Sequence, residues 1–222
     1  MAKAAIFDID MVIANTLTAD LKAYNRALEP YGLQITKEQF IAKSTFSSAE
    51  LARHYFKHLT EEQANEIALA KIGYFDEIVK NGEVKSVPGA ESFLETLVNN
   101  GILLAAATGG PRAKAIPLLE SLGVLQDFLV VVTSDDVTYR KPHPEPFLVA
   151  AALLREATGL YIAERRIVVI EDAPNGIRSA RAAGMYVIGI TTSHTRSELK
   201  LASPHMIIDS YDHLSLEFMR GV

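Results

Sequence analysis

Residues 3–16 are Lys3-Ala4-Ala5-Ile6-Phe7-Asp8-Ile9-Asp10-Met11-Val12-Ile13-Ala14-Asn15-Thr16. The short apolar run Ala4 to Phe7, bounded by polar residues, is the pattern of a strand buried on both faces, as in a parallel sheet. Two acids follow at its C-terminal end, Asp8 and Asp10, with Ile9 between them. In an open α/β sheet the ligand crevice lies just beyond the carboxyl ends of the strands. If the chain stays extended, residues i and i+2 point the same way, so Asp8 and Asp10 can face one ligand. One would serve as metal ligand or nucleophile and the other as proton carrier. The plainer alternative is that acids after a strand cap the following helix.

Beyond Asn15 the period changes. Leu17, Leu21, Tyr24 and Leu28 fall at helical spacing, and Pro30 with Gly32 ends that helix. Thr36 opens a second helix containing Phe40 and Ile41. Ser47 or Ser48 caps a third carrying Leu51, His54, Tyr55 and His58. Thr60-Glu61-Glu62-Gln63 is a capping-box pattern that opens a fourth helix toward Val79. The stretch from Leu17 to about Val84 offers no strand candidate. It reads as a separate helical cap over 16–85, joined near Ala14–Thr16 and near Asn81–Pro88, the latter marked by Asn81-Gly82 and Pro88-Gly89 turn signals.

From there strands and helices alternate. Helix Ala90 to Asn99 precedes strand Ile102 to Ala107, which ends in Thr108-Gly109-Gly110. Pro111 opens a helix that meets Pro117, where a kink or a late start is expected. Strand Phe128 to Val132 leads to Arg140-Lys141-Pro142-His143-Pro144 and the helix Phe147 to Thr158. Strand Ile167 to Ile170 ends in Glu171-Asp172, and the helix after Pro174 stops at Gly184. Val187 to Ile190 and Met206 to Ile208 complete the strands. This alternation predicts an α/β fold, a Rossmann-like parallel sheet between helical layers formed by 1–15 and 86–222, with the helical cap inserted.

The chain has 222 residues, 49% of them hydrophobic, enough for one medium core plus an insert. Its net charge of -5 argues against broad nucleic-acid or anionic-membrane binding. It has no cysteine, which excludes thiol catalysis and a zinc–thiolate site. No run is long and apolar enough to span a bilayer, and no leader-like pattern precedes the first strand. The expectation is a cytoplasmic protein without nucleic-acid or membrane partners. Oligomeric state is not legible.

Polar groups gather at successive strand ends: Asp8 and Asp10, then Thr108, then Lys141 on the loop after the third strand, then Glu171 and Asp172. All open on one sheet edge. The set suits a phosphate monoester. Asp8, Asp172 and the Asp10 region supply hard oxygens for Mg²⁺. The Thr108 hydroxyl and the Gly109 amide can cradle phosphate oxygens, and Lys141 offsets negative charge. A carboxylate is also a nucleophile for phosphoryl transfer. Each piece has a plainer reading: a turn and N-cap for Thr108-Gly109-Gly110, a surface lysine for Lys141, a helix cap for Glu171-Asp172. Their joint occurrence after the right strands favours the site.

At this point the chain resembles the haloacid dehalogenase (HAD) superfamily, in the helical-cap branch that holds β-phosphoglucomutase-like and phosphoglycolate phosphatase-like members. The family's first motif, DxDGVIxDT, is matched by Asp8-Ile9-Asp10-Met11-Val12-Ile13-Ala14-Asn15-Thr16. Its second is a Ser or Thr matched by Thr108, and its third a Lys before Pro matched by Lys141. Its fourth, EDSxxGxxAAxxAGM, is matched from Glu171-Asp172 through Gly176 to Ala182-Ala183-Gly184-Met185. The resemblance implies an Mg²⁺-dependent enzyme in which Asp8 is the nucleophile and Asp10 the general acid and base, with its carbonyl on the metal. Thr108 and Lys141 would hold phosphoryl oxygens, Asp172 would ligate the metal, and Glu171 would do so directly or through water.

Two positions depart from the family pattern, Met11 for Gly and Asn15 for Asp. If position 11 needs positive φ, Met is strained there. An acid at position 10 argues against dehalogenation. Mutase-like members carry a His on the first cap helix where this chain has Asp20, which favours a phosphatase acting on a small phosphorylated metabolite. Lys43, Ser44, Thr45 and Ser47 are candidates for selecting the leaving group, with a solvated loop as the alternative. A phosphorylatable receiver module, with Asp135 as acceptor, is a reading of another class; a degenerate member kept for partner binding is a third. The scattered histidines His54, His58, His143 and His194 are assigned no metal role.

Overall fold

The apolar run of the first motif forms β1 (Ala4–Phe7), with every residue buried. The structure is a computed structural model that describes residues 3–43 and 46–221. After β1 come α1 (Leu17–Leu28), α2 (Lys37–Ala42), α3 (Ser48–Tyr55), α4 (Glu61–Lys80), α5 (Ala90–Asn99), β2 (Leu103–Ala107), α6 (Arg112–Ser121) and β3 (Val130–Val132). Then follow α7 (Glu145–Thr158), β4 (Ile167–Glu171), α8 (Pro174–Ala182), β5 (Tyr186–Ile190), α9 (Arg196–Lys200), β6 (Met206–Ile208) and α10 (Leu216–Gly221). The chain divides into two units, Met1–Asn15 with Ser86–Val222, and Thr16–Lys85.

The first unit holds a six-stranded sheet in the order β3-β2-β1-β4-β5-β6. All its pairings are parallel. Strand order reverses beside β1, and such a reversal opens a crevice past the strand ends. Phe7 lies opposite Ala106 of β2 and Ile170 of β4. The next residue of each strand therefore brings Asp8 level with Ala107 and Glu171. Side chains alternate across the sheet. Ala4 and Ile6 pack on one face with Phe147, Ala150 and Leu154 of α7 and Ile177 and Ala180 of α8. Phe7 points to the other face, edge-on to Phe93 of α5 at 6.4 Å and to Phe128 at 6.2 Å. Both faces are thus covered, which is why β1 reads as a continuous apolar run.

Among its described residues the second unit has helices and no strand. Tyr24, Leu28, Leu51, Ala52 and Ile67 form its core. Capping boxes fix three helix starts, Thr36 with Gln39, Ser47 with Glu50, and Thr60 with Gln63. Asp20 of α1 is not solvated: it forms a buried ion pair with Lys71 of α4. No helix among the described residues is long and apolar enough to cross a membrane.

The differences from the sequence reading are local. α3 stops at Tyr55, because Phe56 leaves helical geometry, so His58 lies outside it. α6 starts at Arg112 without delay and runs through Pro117, with Ala115, Leu118 and Leu119 buried around it. The short helices α9 and α10, of five and six residues, had no periodic pattern long enough to read.

The turn after β1 is the sharpest feature of the first unit. The Ile9 carbonyl accepts from the amides of Val12, Ile13 and Ala14 at 3.3, 2.9 and 3.0 Å. Met11 sits at φ 59°, the left-handed region that the sequence reading marked as costly for any residue but glycine. Its amide donates to the Ala14 carbonyl at 2.7 Å, so the conformation is held by the turn. Met11→Gly is expected to stabilise the protein by about 0.5–1 kcal/mol, the relief of strain exceeding the added freedom of the unfolded chain. Urea unfolding measures it; a lower midpoint in the variant would contradict a strained Met11.

Candidate active site

The site is built where β1, β2 and β4 end side by side. The Asp8 amide donates to the Ile170 carbonyl at 3.0 Å, continuing the ladder one residue past β1. That fixes the carboxylate at the strand end, 7% exposed. Lys141 reaches it from the loop between β3 and α7. Its Nζ donates to Asp8 Oδ1 at 2.6 Å, to Glu171 Oε1 at 2.6 Å and to the Ala107 carbonyl at 2.9 Å. These acceptors are the level residues of adjacent strands, so one ammonium ties the β1, β2 and β4 ends together.

Glu171, 2% exposed, has its second oxygen engaged as well, accepting from the Ala173 amide at 3.0 Å. Its carboxylate lies against Gly176 of α8, where a Cβ would fall 1.7 Å from Oε1. Only glycine leaves that space. Asp172, also buried, accepts from the Ser193 hydroxyl. The His194 Nδ1 stands 3.1 Å from the Asp172 carbonyl oxygen.

Asp10, on the turn, pairs with Lys114 of α6 at 2.6 Å. The turn is tied to other strand ends: the Thr192 hydroxyl donates to the Met11 carbonyl, and the buried Tyr211 hydroxyl donates to the Val12 carbonyl at 3.0 Å. Thr108 closes β2, its amide bonded to the Val132 carbonyl at 2.9 Å and its Oγ1 accepting from the Gly110 amide at 3.0 Å. Gly109 lies within that turn, at the entrance to α6.

The charges do not balance. Asp8, Glu171 and Asp172 are buried, and the Lys141 ammonium pairs with the first two. Burial, aided by repulsion from Glu171 and Asp10, raises the Asp8 pKa to about 7 despite Lys141. Burial, then Glu171 and Asp8, push Asp172 well above the usual carboxylate range. Burial disfavours the Lys141 cation, but Asp8 and Glu171 outweigh it and raise its pKa. A donor set short of positive charge suits a divalent cation. No group of three or more His, Asp or Glu side chains among the described residues could hold a metal ion by itself. Buried carboxylate oxygens are hard donors, and such a set is compatible with a hard cation such as Mg²⁺, which takes one or two carboxylates and completes its shell with waters and phosphate oxygens.

The structure thus bonds Asp8 and Glu171 to Lys141, with Asp172 buried next to Glu171 in sequence and held by Ser193, and Asp10 and Thr108 on the flanking turns. Ser44 and Thr45 lie outside the described residues. Ser47 is spent as the cap of α3, and Lys43 ends α2 with its ammonium 5.4 Å from the Phe46 ring. Asp135, the acceptor required by the receiver reading, receives the Arg112 amide at 2.9 Å, at the start of α6. Sequence reasoning missed Lys114, Thr192 and Ser193. The polar run Thr191-Thr192-Ser193 after β5 follows the same strand-end rule as the other motifs and was the available signal. Lys114 had none, being one lysine in a helix.

Comparison with known proteins agrees with this architecture. Validoxylamine A 7'-phosphate phosphatase of Streptomyces hygroscopicus is 28% identical over 199 residues, covering 90% of each chain. Phosphoglycolate phosphatase of Salmonella typhimurium is 33% identical over 155 residues, covering 69% of this chain and 59% of that enzyme. Among solved structures, CbbY of Rhodobacter sphaeroides in complex with phosphate superposes with a TM-score of 0.87 at 24% identity, over 99% of this chain and 100% of that one. β-Phosphoglucomutase of Clostridium difficile superposes with a TM-score of 0.82 at 25% identity, over 100% and 96%. Residues 5–209 match the profile of the haloacid dehalogenase-like hydrolases, and the chain belongs to that family.

Proposed function

We propose that this protein is an Mg²⁺-dependent phosphatase that hydrolyses a small phosphorylated metabolite through an aspartyl-phosphate at Asp8. The observation that carries the reading is Asp8 itself, a buried strand-end carboxylate bonded to Lys141 beside Glu171 and Asp172. The names of relatives support it, two phosphatases of phosphorylated small molecules.

In this reading an Asp8 oxygen attacks phosphorus and the bond to the ester oxygen breaks. Asp10 gives that leaving oxygen a proton. Water then attacks phosphorus, gives its proton to Asp10, and the Asp8–phosphorus bond breaks to release phosphate. Lys141 offsets charge on Asp8 and on the phosphoryl oxygens. The Thr108 hydroxyl and Gly109 amide, at the entrance to α6, bind the same oxygens. Asp8, Asp172 and the Asp10 carbonyl would hold Mg²⁺, which supplies the positive charge that the carboxylates and a phosphate dianion lack. Glu171, with both oxygens engaged, steadies Lys141 and would reach the metal only through water. The helical unit, Thr16–Lys85, serves as the cap that selects the leaving group, with Ser44 and Thr45 among the candidates.

A β-phosphoglucomutase-like transfer is the second reading, favoured by the names of two structural neighbours. Asp20 speaks against it: where mutase-like members offer a His, this chain has a carboxylate committed to Lys71.

Phosphate release from an aryl phosphate tests the reading directly. Mg²⁺-dependent release is expected, and Asp8→Asn is expected to lower it by roughly a thousandfold or more. Equal rates in wild type and Asp8→Asn would contradict Asp8 as nucleophile. A thermal measurement tests the metal separately. The folded pKa of Asp8, about 7, exceeds its ordinary 3.8, so between these values the folded state binds more protons than the unfolded. The contribution of Asp8 to the stability of the metal-free protein therefore falls as pH rises through that window. Mg²⁺ is expected to raise the melting temperature more at about pH 7.5 than at about pH 5, relative to a chelator. An equal shift at both would contradict binding at these carboxylates.

A further inference from the structure

Lys141 works from a segment without regular structure, residues 137–144, which no strand ladder fixes in place. Its long side chain nevertheless meets three acceptors at hydrogen-bond distance. Something must hold the backbone of that segment at the right distance from the sheet.

Two side chains do so. Glu145, the first residue of α7, accepts from the Thr138 and Tyr139 amides at 2.9 and 2.8 Å and clamps the start of the segment. Ser179 of α8 holds its other end: the hydroxyl donates to the His143 carbonyl at 2.5 Å. Ser179 is fully buried, and His143 lies two residues beyond Lys141. Position 179 is three residues on from Gly176, on the same face of α8. Gly176 gives the Glu171 carboxylate its space, so one face of one helix seats both partners of the Lys141–Glu171 pair. Motion of the segment against α8 would alter that pair directly.

We propose that Ser179 is a positioning residue for Lys141: by tying the His143 carbonyl to α8, its hydroxyl sets the reach of the Lys141 ammonium to Asp8, the Ala107 carbonyl and Glu171. The effect on turnover rests on the phosphatase reading; the effect on Lys141 does not. A buried serine that only satisfies a carbonyl would affect stability and nothing else, and that difference is measurable.

The test follows the Lys141 ammonium by NMR in protein carrying ¹⁵N-lysine, assigned by its loss in Lys141→Arg, alongside steady-state kinetics on an aryl phosphate. Ser179→Ala is expected to speed exchange of the Lys141 ammonium protons with water. It is also expected to lower kcat by about ten- to a hundredfold with little change in KM. Ser179→Thr, which keeps the hydroxyl, is expected to restore both. If the alanine variant does not fold, Ser179→Cys, similar in size and a weaker donor, is read the same way. A lower melting temperature with the Lys141 signal and kcat of wild type would overturn the proposal. Faster Lys141 exchange in a protein whose wild type releases no phosphate would support the role of Ser179 and sink the phosphatase reading instead.

Discussion

One ammonium organises the sheet edge. Lys141 bonds Asp8, the Ala107 carbonyl and Glu171, the level residues of β1, β2 and β4. Carboxylates this buried would repel each other and resist ionisation without a cation between them. Lys141 compensates part of that charge, while burial first, and repulsion among the carboxylates after it, still raises the pKa of Asp8 and of Asp172. In the proposed function a divalent cation would supply the positive charge that Lys141 alone does not. Stability and chemistry thus pull against each other at the same residues.

The parallel register is the reason such a cluster can form. Crossover connections bring every strand end to one edge, and the order reversal beside β1 keeps β2 and β4 immediately next to it. Lys141 arrives from beyond β3 along a segment fastened to α7 and α8 rather than to the sheet. The turn holding Asp10 follows a similar logic, with its carbonyls held by Thr192 and Tyr211 from the far side of the sheet. Loops placed by rigid elements carry the polar groups, while the strands beneath them are almost wholly apolar.

Much of this was legible in the chain. β1 declared itself because a strand covered on both faces must be apolar at every position, and the acids that follow mark its end. The fourth helix of the chain was readable from Thr60-Glu61-Glu62-Gln63, since a capping box is a local bond between residues three apart, and the first from its apolar spacing. What stayed hidden depends on distance. Lys114 meets Asp10 across 104 residues, and Ser179 meets His143 across 36. No local pattern encodes either contact. Asp20 was legible as an acid in place of a histidine, but its burial against Lys71 was not.

In the proposed mechanism Asp8 becomes covalently phosphorylated during turnover. The most direct measurement is acid quenching of the protein while it turns over an aryl phosphate with Mg²⁺, followed by proteolysis and mass spectrometry of the peptide holding Asp8. A single phosphoryl group on Asp8, gained during turnover and lost when substrate is exhausted, is the predicted result. Phosphate release with no modified peptide, or with the phosphoryl group on another residue, would contradict it.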